Sequence, residues 1–183
     1  DQSFSISFTV LTPISSFSYP QTSYILSAGV SFSITPTING DDLSFSIISG
    51  SLPYGLSLNS TTGVISGTPS QSVLPQPVTI KAFNEVSDQS VAIIITILTP
   101  ISSFSYLQSS YVLSRDDLFS ITPTVDGDDL SFTVSSGSLP MGLLINQSTG
   151  MISGIPSQSV SSQSVTIKAF NEVSDQSFSL SFT

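Results

Sequence analysis

Apolar and polar residues alternate with a period of two through most of the chain, and no stretch keeps helical spacing over even three turns. In the first half this predicts strands near residues 17–19, 24–27, 30–34, 43–48, 56–58, 64–66, 78–83 and 90–98. Within 30–34, Val30, Phe32 and Ile34 are expected inward and the serines outward. Clusters such as Asn39-Gly40-Asp41-Asp42, Thr62-Gly63, Gly67-Thr68-Pro69 and Asn84-Glu85-Val86-Ser87-Asp88 supply the turns between them. Short strands at intervals of about 8 to 12 residues are the pattern of an all-β chain folded as antiparallel β-sandwiches.

The pattern repeats. Asp1, Asp88 and Asp175 each open a DQS segment 87 residues after the last, and the same offset joins LTPISSFSY at Leu11 to Leu98 and VTIKAFNEVSDQS at Val78 to Val165. The two copies are about two-thirds identical without a gap, and nine residues remain over. A unit of this length is large enough to hold its own core, unlike the shorter units of solenoids, so the chain reads as tandem domains.

Leu52-Pro53-Tyr54-Gly55-Leu56-Ser57-Leu58-Asn59, followed by Thr62-Gly63-Val64-Ile65-Ser66-Gly67-Thr68-Pro69, resembles the signature of the putative-immunoglobulin, or dystroglycan-type cadherin-like, repeats. The second copy carries it from Leu139 to Pro156, with Ile155 where Thr is usual. The resemblance implies tandem immunoglobulin-like/cadherin-like sandwiches of extracellular or cell-surface proteins, acting as structural or binding modules without a shared catalytic activity. Under its register, residues 1–10 are the last strand of a preceding repeat, 11–97 the first repeat and 98–183 the second; periodicity alone also permits units starting at Asp1 and Asp88, with residues 175–183 left over to pair with a neighbouring protomer.

Composition narrows the chemistry. The chain has no His, Cys or Trp, and three basic residues stand against twelve acidic ones for a net charge of −9. No imidazole base, thiolate or disulfide is available, and so few cations cannot neutralise a nucleic-acid backbone. An enzyme is therefore not expected, nor is a nucleic-acid partner. The longest uncharged apolar run, residues 91–98, is too short for a membrane-spanning helix.

The remaining candidates each have a plain alternative. Cadherin-like domains often hold calcium, for which Asp41, Asp42, Asp126, Asp128 and Asp129 are the candidate ligands, but the linker lacks carboxylates and solvated turn residues are the simpler account. No other cofactor is expected. Asn59 and Asn146 open N-glycosylation sequons at equivalent positions, or simply serve their turns. Lys81 and Lys168 are expected to be solvated on outward strand faces. Phe83 and Phe170 share those faces, and Ile94 replaces the serine of the other copies. Arg115-Asp116-Asp117 replaces Ala28-Gly29-Val30, and these four side chains, Phe83, Phe170, Ile94 and Arg115, are interface candidates.

The extra segment repeats a strand rather than a loop, and a strand without a home in its own chain is a template for pairing with an adjacent repeat or chain. The expected role is a structural module of an extracellular filament, stalk or surface adhesin, acting by spacing and homo-oligomeric self-association. The alternative is adhesion to glycans or a surface protein through the loops.

Overall fold

Serines and threonines alternating with Phe, Ile and Leu build each strand, the apolar set turning inward as the pleat requires. The computed structural model describes residues 3–159 and 161–183 and divides into two units, Asp1–Ile97 and Leu98–Thr183. The first contains β1 (Ser16–Ser18), β2 (Ser23–Ser27), β3 (Phe32–Ile34), β4 (Thr37–Asn39), β5 (Ser44–Ser49), β6 (Leu56–Leu58), β7 (Ile65–Gly67), β8 (Val73–Phe83) and β9 (Asp88–Leu98). A four-stranded sheet ordered β2-β9-β8-β5 faces a three-stranded sheet ordered β3-β7-β6, and β1 pairs with β4 at one end. The two layers close on Tyr24, Val78, Ile80, Ile93, Ile95 and Ile97 from one side and Ile65 with Phe32, Ile34 and Leu56 from the other.

The second unit repeats this with β10 (Ser103–Ser105), β11 (Ser110–Tyr111), β12 (Phe119–Ile121), β13 (Thr124–Asp126), β14 (Ser131–Gly137), β15 (Leu143–Ile145), β16 (Ile152–Gly154), β17 (Gln163–Phe170) and β18 (Asp175–Phe182). Its sheets run β11-β18-β17-β14 and β12-β16-β15, with β10 on β13. Here β11 pairs with β18 in parallel and β17 with β18 antiparallel. Fully buried Ile152, Ile167, Leu180 and Phe182 centre the core. Burying each such side chain contributes about 2 kcal/mol, which offsets the ordering of many short strands.

Three local features depart from the sequence pattern. The strand β4 was not expected, because its one apolar residue, Ile38, shows no alternation. Val30 lies outside β3 and is exposed rather than inward, the chain turning at Gly29 with φ near +80°. Finally, β8 begins at Val73 and runs through Pro75 and Pro77. These prolines are tolerated because β5 ends opposite Thr79, so no neighbour on that side requires their missing N–H, and the ladder to β9 is irregular between Val73 and Gln76.

Candidate functional site

One asparagine ties three segments of each unit. Asn84 opens the turn between β8 and β9, and its Oδ1 accepts hydrogen bonds from the Val86 amide (3.1 Å), the Ser87 amide (2.9 Å) and the Ser87 hydroxyl (3.1 Å). Its Nδ2 donates to the carbonyls of Thr12 (3.0 Å) and Asp41 (2.9 Å). The Ser87 hydroxyl in turn accepts from the Ile14 amide at 2.7 Å. The turn is thereby fastened to the segment that leads into β1 and to the β4–β5 turn. Asn171 makes the same set, with Ser174 and the carbonyls of Thr99 and Asp128.

A second tie joins the layers. The Tyr19 hydroxyl donates to the Gly63 carbonyl at 2.6 Å, and Tyr106 to Gly150 at 2.5 Å. Burial pushes both phenol pKa values well up, helped by the neighbouring Tyr24 or Tyr111, so the donor keeps its proton throughout the physiological range.

The acidic candidates belong to this framework. Asp41 Oδ2 accepts from the Thr12 amide at 2.9 Å, and Asp128 Oδ2 from the Thr99 amide at 2.9 Å. Asp126 Oδ2 accepts from the Ser102 hydroxyl. Asp42 and Asp129 occupy the left-handed region, with φ near 50° and 52°, as short polar side chains can at a turn. Among the described residues no three acidic side chains gather as metal ligands would. For Asp41 the solvated-turn account is incomplete, because its carboxylate caps an incoming backbone.

Hydrogen bonds from Thr12 hold the Asp41 carboxyl below its ordinary pKa. A lowered folded-state value means that the stabilisation is present above the unfolded pKa, about 3.9, and is lost as pH falls through the folded value. Asp41→Asn keeps an acceptor without the titration. The gap between its unfolding midpoint and that of the wild type, measured in urea, is expected to narrow between pH 5 and pH 2, and a constant gap would count against this cap.

On the outer face of the first unit, Lys81 forms an ion pair with Asp88 and lies 5.9 Å from the centre of the Phe83 ring. Lys168 repeats this with Asp175 (3.1 Å) and Phe170 (6.0 Å). The lysines are thus paired rather than simply solvated, and the two phenylalanines, about a third exposed, have an intra-unit partner. Phe83 also edges an open groove of about 550 Å³ with Thr9, Leu11, Asp42 and Glu85. Arg115 pairs with its neighbour Asp116 at 3.1 Å, both side chains exposed. Asp116 has φ near 64°, filling the left-handed place that Gly29 holds in the first unit. Ile94 is 41% exposed, opposite Pro77 across the β8–β9 ladder.

The sequon asparagines are exposed, and their Oδ1 atoms close Asx turns. Asn59 accepts from the amides of Thr61 (2.9 Å) and Thr62 (3.0 Å), and Asn146 from Ser148 and Thr149 at the same distances. The turn therefore uses Asn in both units, while each side chain lies at the surface.

The family pattern described as Putative Ig domain matches residues 5–99 and again 93–183. This chain belongs to the Putative Ig domain family. Among solved structures, extracellular domains 3–5 of Drosophila OTK align over 93% of the chain and 62% of theirs, with TM-score 0.65 and 13% identity. Immunoglobulin domains 1–4 of Sidekick-1 align over 93% and 49% (0.62, 14% identity), and the titin I-band fragment I67–I69 over 91% and 65% (0.53, 14% identity). The chain thus spans about half to two-thirds of these molecules, and at such identities the likeness establishes tandem Ig-like sandwiches. No curated protein sequence matches this Putative Ig domain pair significantly.

Missing from the sequence-derived candidates were Asn84, Asn171, Tyr19 and Tyr106. Their exact recurrence at the 87-residue offset was the available signal.

Proposed function

We propose that the chain is a non-catalytic structural module of an extracellular filament, stalk or surface adhesin, which spaces its neighbours and associates with copies of itself. The observation carrying this reading is a contrast between the units. What recurs at 87 residues is scaffolding: the asparagine ties, the buried tyrosines and the Lys–Asp–Phe sets. What differs is the outer face of the four-stranded sheet. Ile48, Leu74, Pro77 and Ile94 stand exposed where the second repeat has Ser135, Ser161, Ser164 and Ser181. A sheet apolar on both faces is costly in water unless one face meets a partner, and in an array of copies the partner at highest local concentration is another copy.

Sedimentation velocity over a wide concentration range tests this. The wild-type chain is expected to associate, and Ile48→Ser with Ile94→Ser, substitutions that the second repeat already tolerates, to abolish association. A chain that stays monomeric at every concentration but is retained on a glycan array would overturn this reading in favour of adhesion through the loops.

A further inference from the structure

Residues 3–9 enter no ladder among the described residues, and they hold their apolar side chains in the open: Phe4 is 91%, Ile6 66% and Phe8 87% exposed. Asp1 and Gln2, the remainder of the segment expected to pair, lie outside the described residues. Ser-Phe-Ser-Ile-Ser-Phe-Thr at 3–9 matches Ser-Phe-Ser-Leu-Ser-Phe-Thr at 177–183, differing only at Ile6 against Leu180. The second occurrence shows what this sequence does when it is placed. As part of β18 it lies between β17 and β11, paired with both. Phe178 packs on Phe104 (6.4 Å) and Tyr106 (6.0 Å), and Leu180 is buried. Phe182 stacks on Tyr111 at 6.1 Å.

The corresponding place in the first unit is already filled by β9, between β2 and β8. Residues 3–9 therefore have the side-chain order of a central strand but no sheet of their own unit to enter. We propose that residues 3–9 are the closing strand of a further repeat of the same kind on the N-terminal side. There they are inserted between the counterparts of β11 and β17, with Phe4, Ile6 and Phe8 in its core. A sandwich lacking this strand would expose two strand edges and an open core, so only a segment with alternating apolar residues completes it. The inference does not depend on whether the array acts as a stalk or as an adhesin.

The test adds residues 98–174, a repeat without its last strand, directly ahead of residue 1 of the full chain, at a concentration where the chain is monomeric. If 3–9 completes the added repeat, the calorimetric unfolding enthalpy rises about 1.5-fold, since enthalpy scales with the number of folded residues. Phe4→Asp with Phe8→Asp then removes that gain while leaving the 183-residue chain's own transition unchanged. An added segment that shows no amide protection, or an extended chain indifferent to the double substitution, would overturn the proposal. Neither outcome bears on self-association, so a failure here is separable from a failure of the filament reading.

Discussion

Replacing Gly154 with alanine is expected to lower the stability of the second unit by about 3 kcal/mol or more, against a total of roughly 5–10 kcal/mol for a domain of this size. Gly154 ends β16 with φ near +146°, a region essentially closed to residues with a β-carbon. An added Cβ would also lie 2.0 Å from the carbonyl oxygen of Gly142, which is backbone and cannot rotate away. The crowding comes from its place in the sheet: Gly154 is opposite Phe119 of β12 on one side and Leu143 of β15 on the other. A Cβ added at Gly142, with φ near +98°, would lie just as close to the Ile155 carbonyl, so the two glycines crowd the same stretch of paired backbone. Hydrogen exchange followed by proteolytic mapping would locate the loss of protection in peptides of residues 98–183. A change below 1 kcal/mol would mean that the backbone here is softer than its geometry indicates.

That glycine was half legible in the sequence: it sits within a spaced motif that recurs at the 87-residue offset, but its crowding against the Gly142 carbonyl comes from strand pairing. The strand that holds it and one of that strand's neighbours were legible from alternation, since Phe119-Ser120-Ile121 and Ile152-Ser153 state their inward and outward faces residue by residue. Short β4 was not, because Thr37-Ile38-Asn39 gains its strand geometry only from pairing with Ser16–Ser18, far earlier in the chain. The extension of β8 across Pro75 and Pro77 was hidden likewise: whether a proline breaks a strand depends on whether its neighbour needs the N–H, and that neighbour is set by the fold. Asn84 was half legible. A turn explains its Oδ1, but its Nδ2 reaches carbonyls 72 and 43 residues away, and no periodicity encodes that.

The division of labour within this side chain yields the second large effect. At Asn171, the five hydrogen bonds fix which end of the amide is which: three donors face Oδ1 and two carbonyls face Nδ2. Asn171→Asp preserves the acceptor that forms the turn and replaces the donor with a second oxygen. The carbonyls of Thr99 and Asp128 then lose their donor and face a carboxylate, in a position that is only half exposed. Two lost bonds and the added repulsion are expected to cost about 2–4 kcal/mol at pH 7. The introduced carboxyl should titrate above its ordinary range, because the facing carbonyls favour its protonated form. With a raised folded-state pKa, its stability is fully present below the unfolded pKa and is lost as pH rises through the folded one. The deficit relative to wild type should therefore be larger at pH 7 than at pH 3, in urea titrations at both. Asn171→Ala, which removes both halves, should show no such pH dependence. If the aspartate variant is within 0.5 kcal/mol of wild type at pH 7, the long-range half of the tie contributes little and the asparagine is retained for its turn alone.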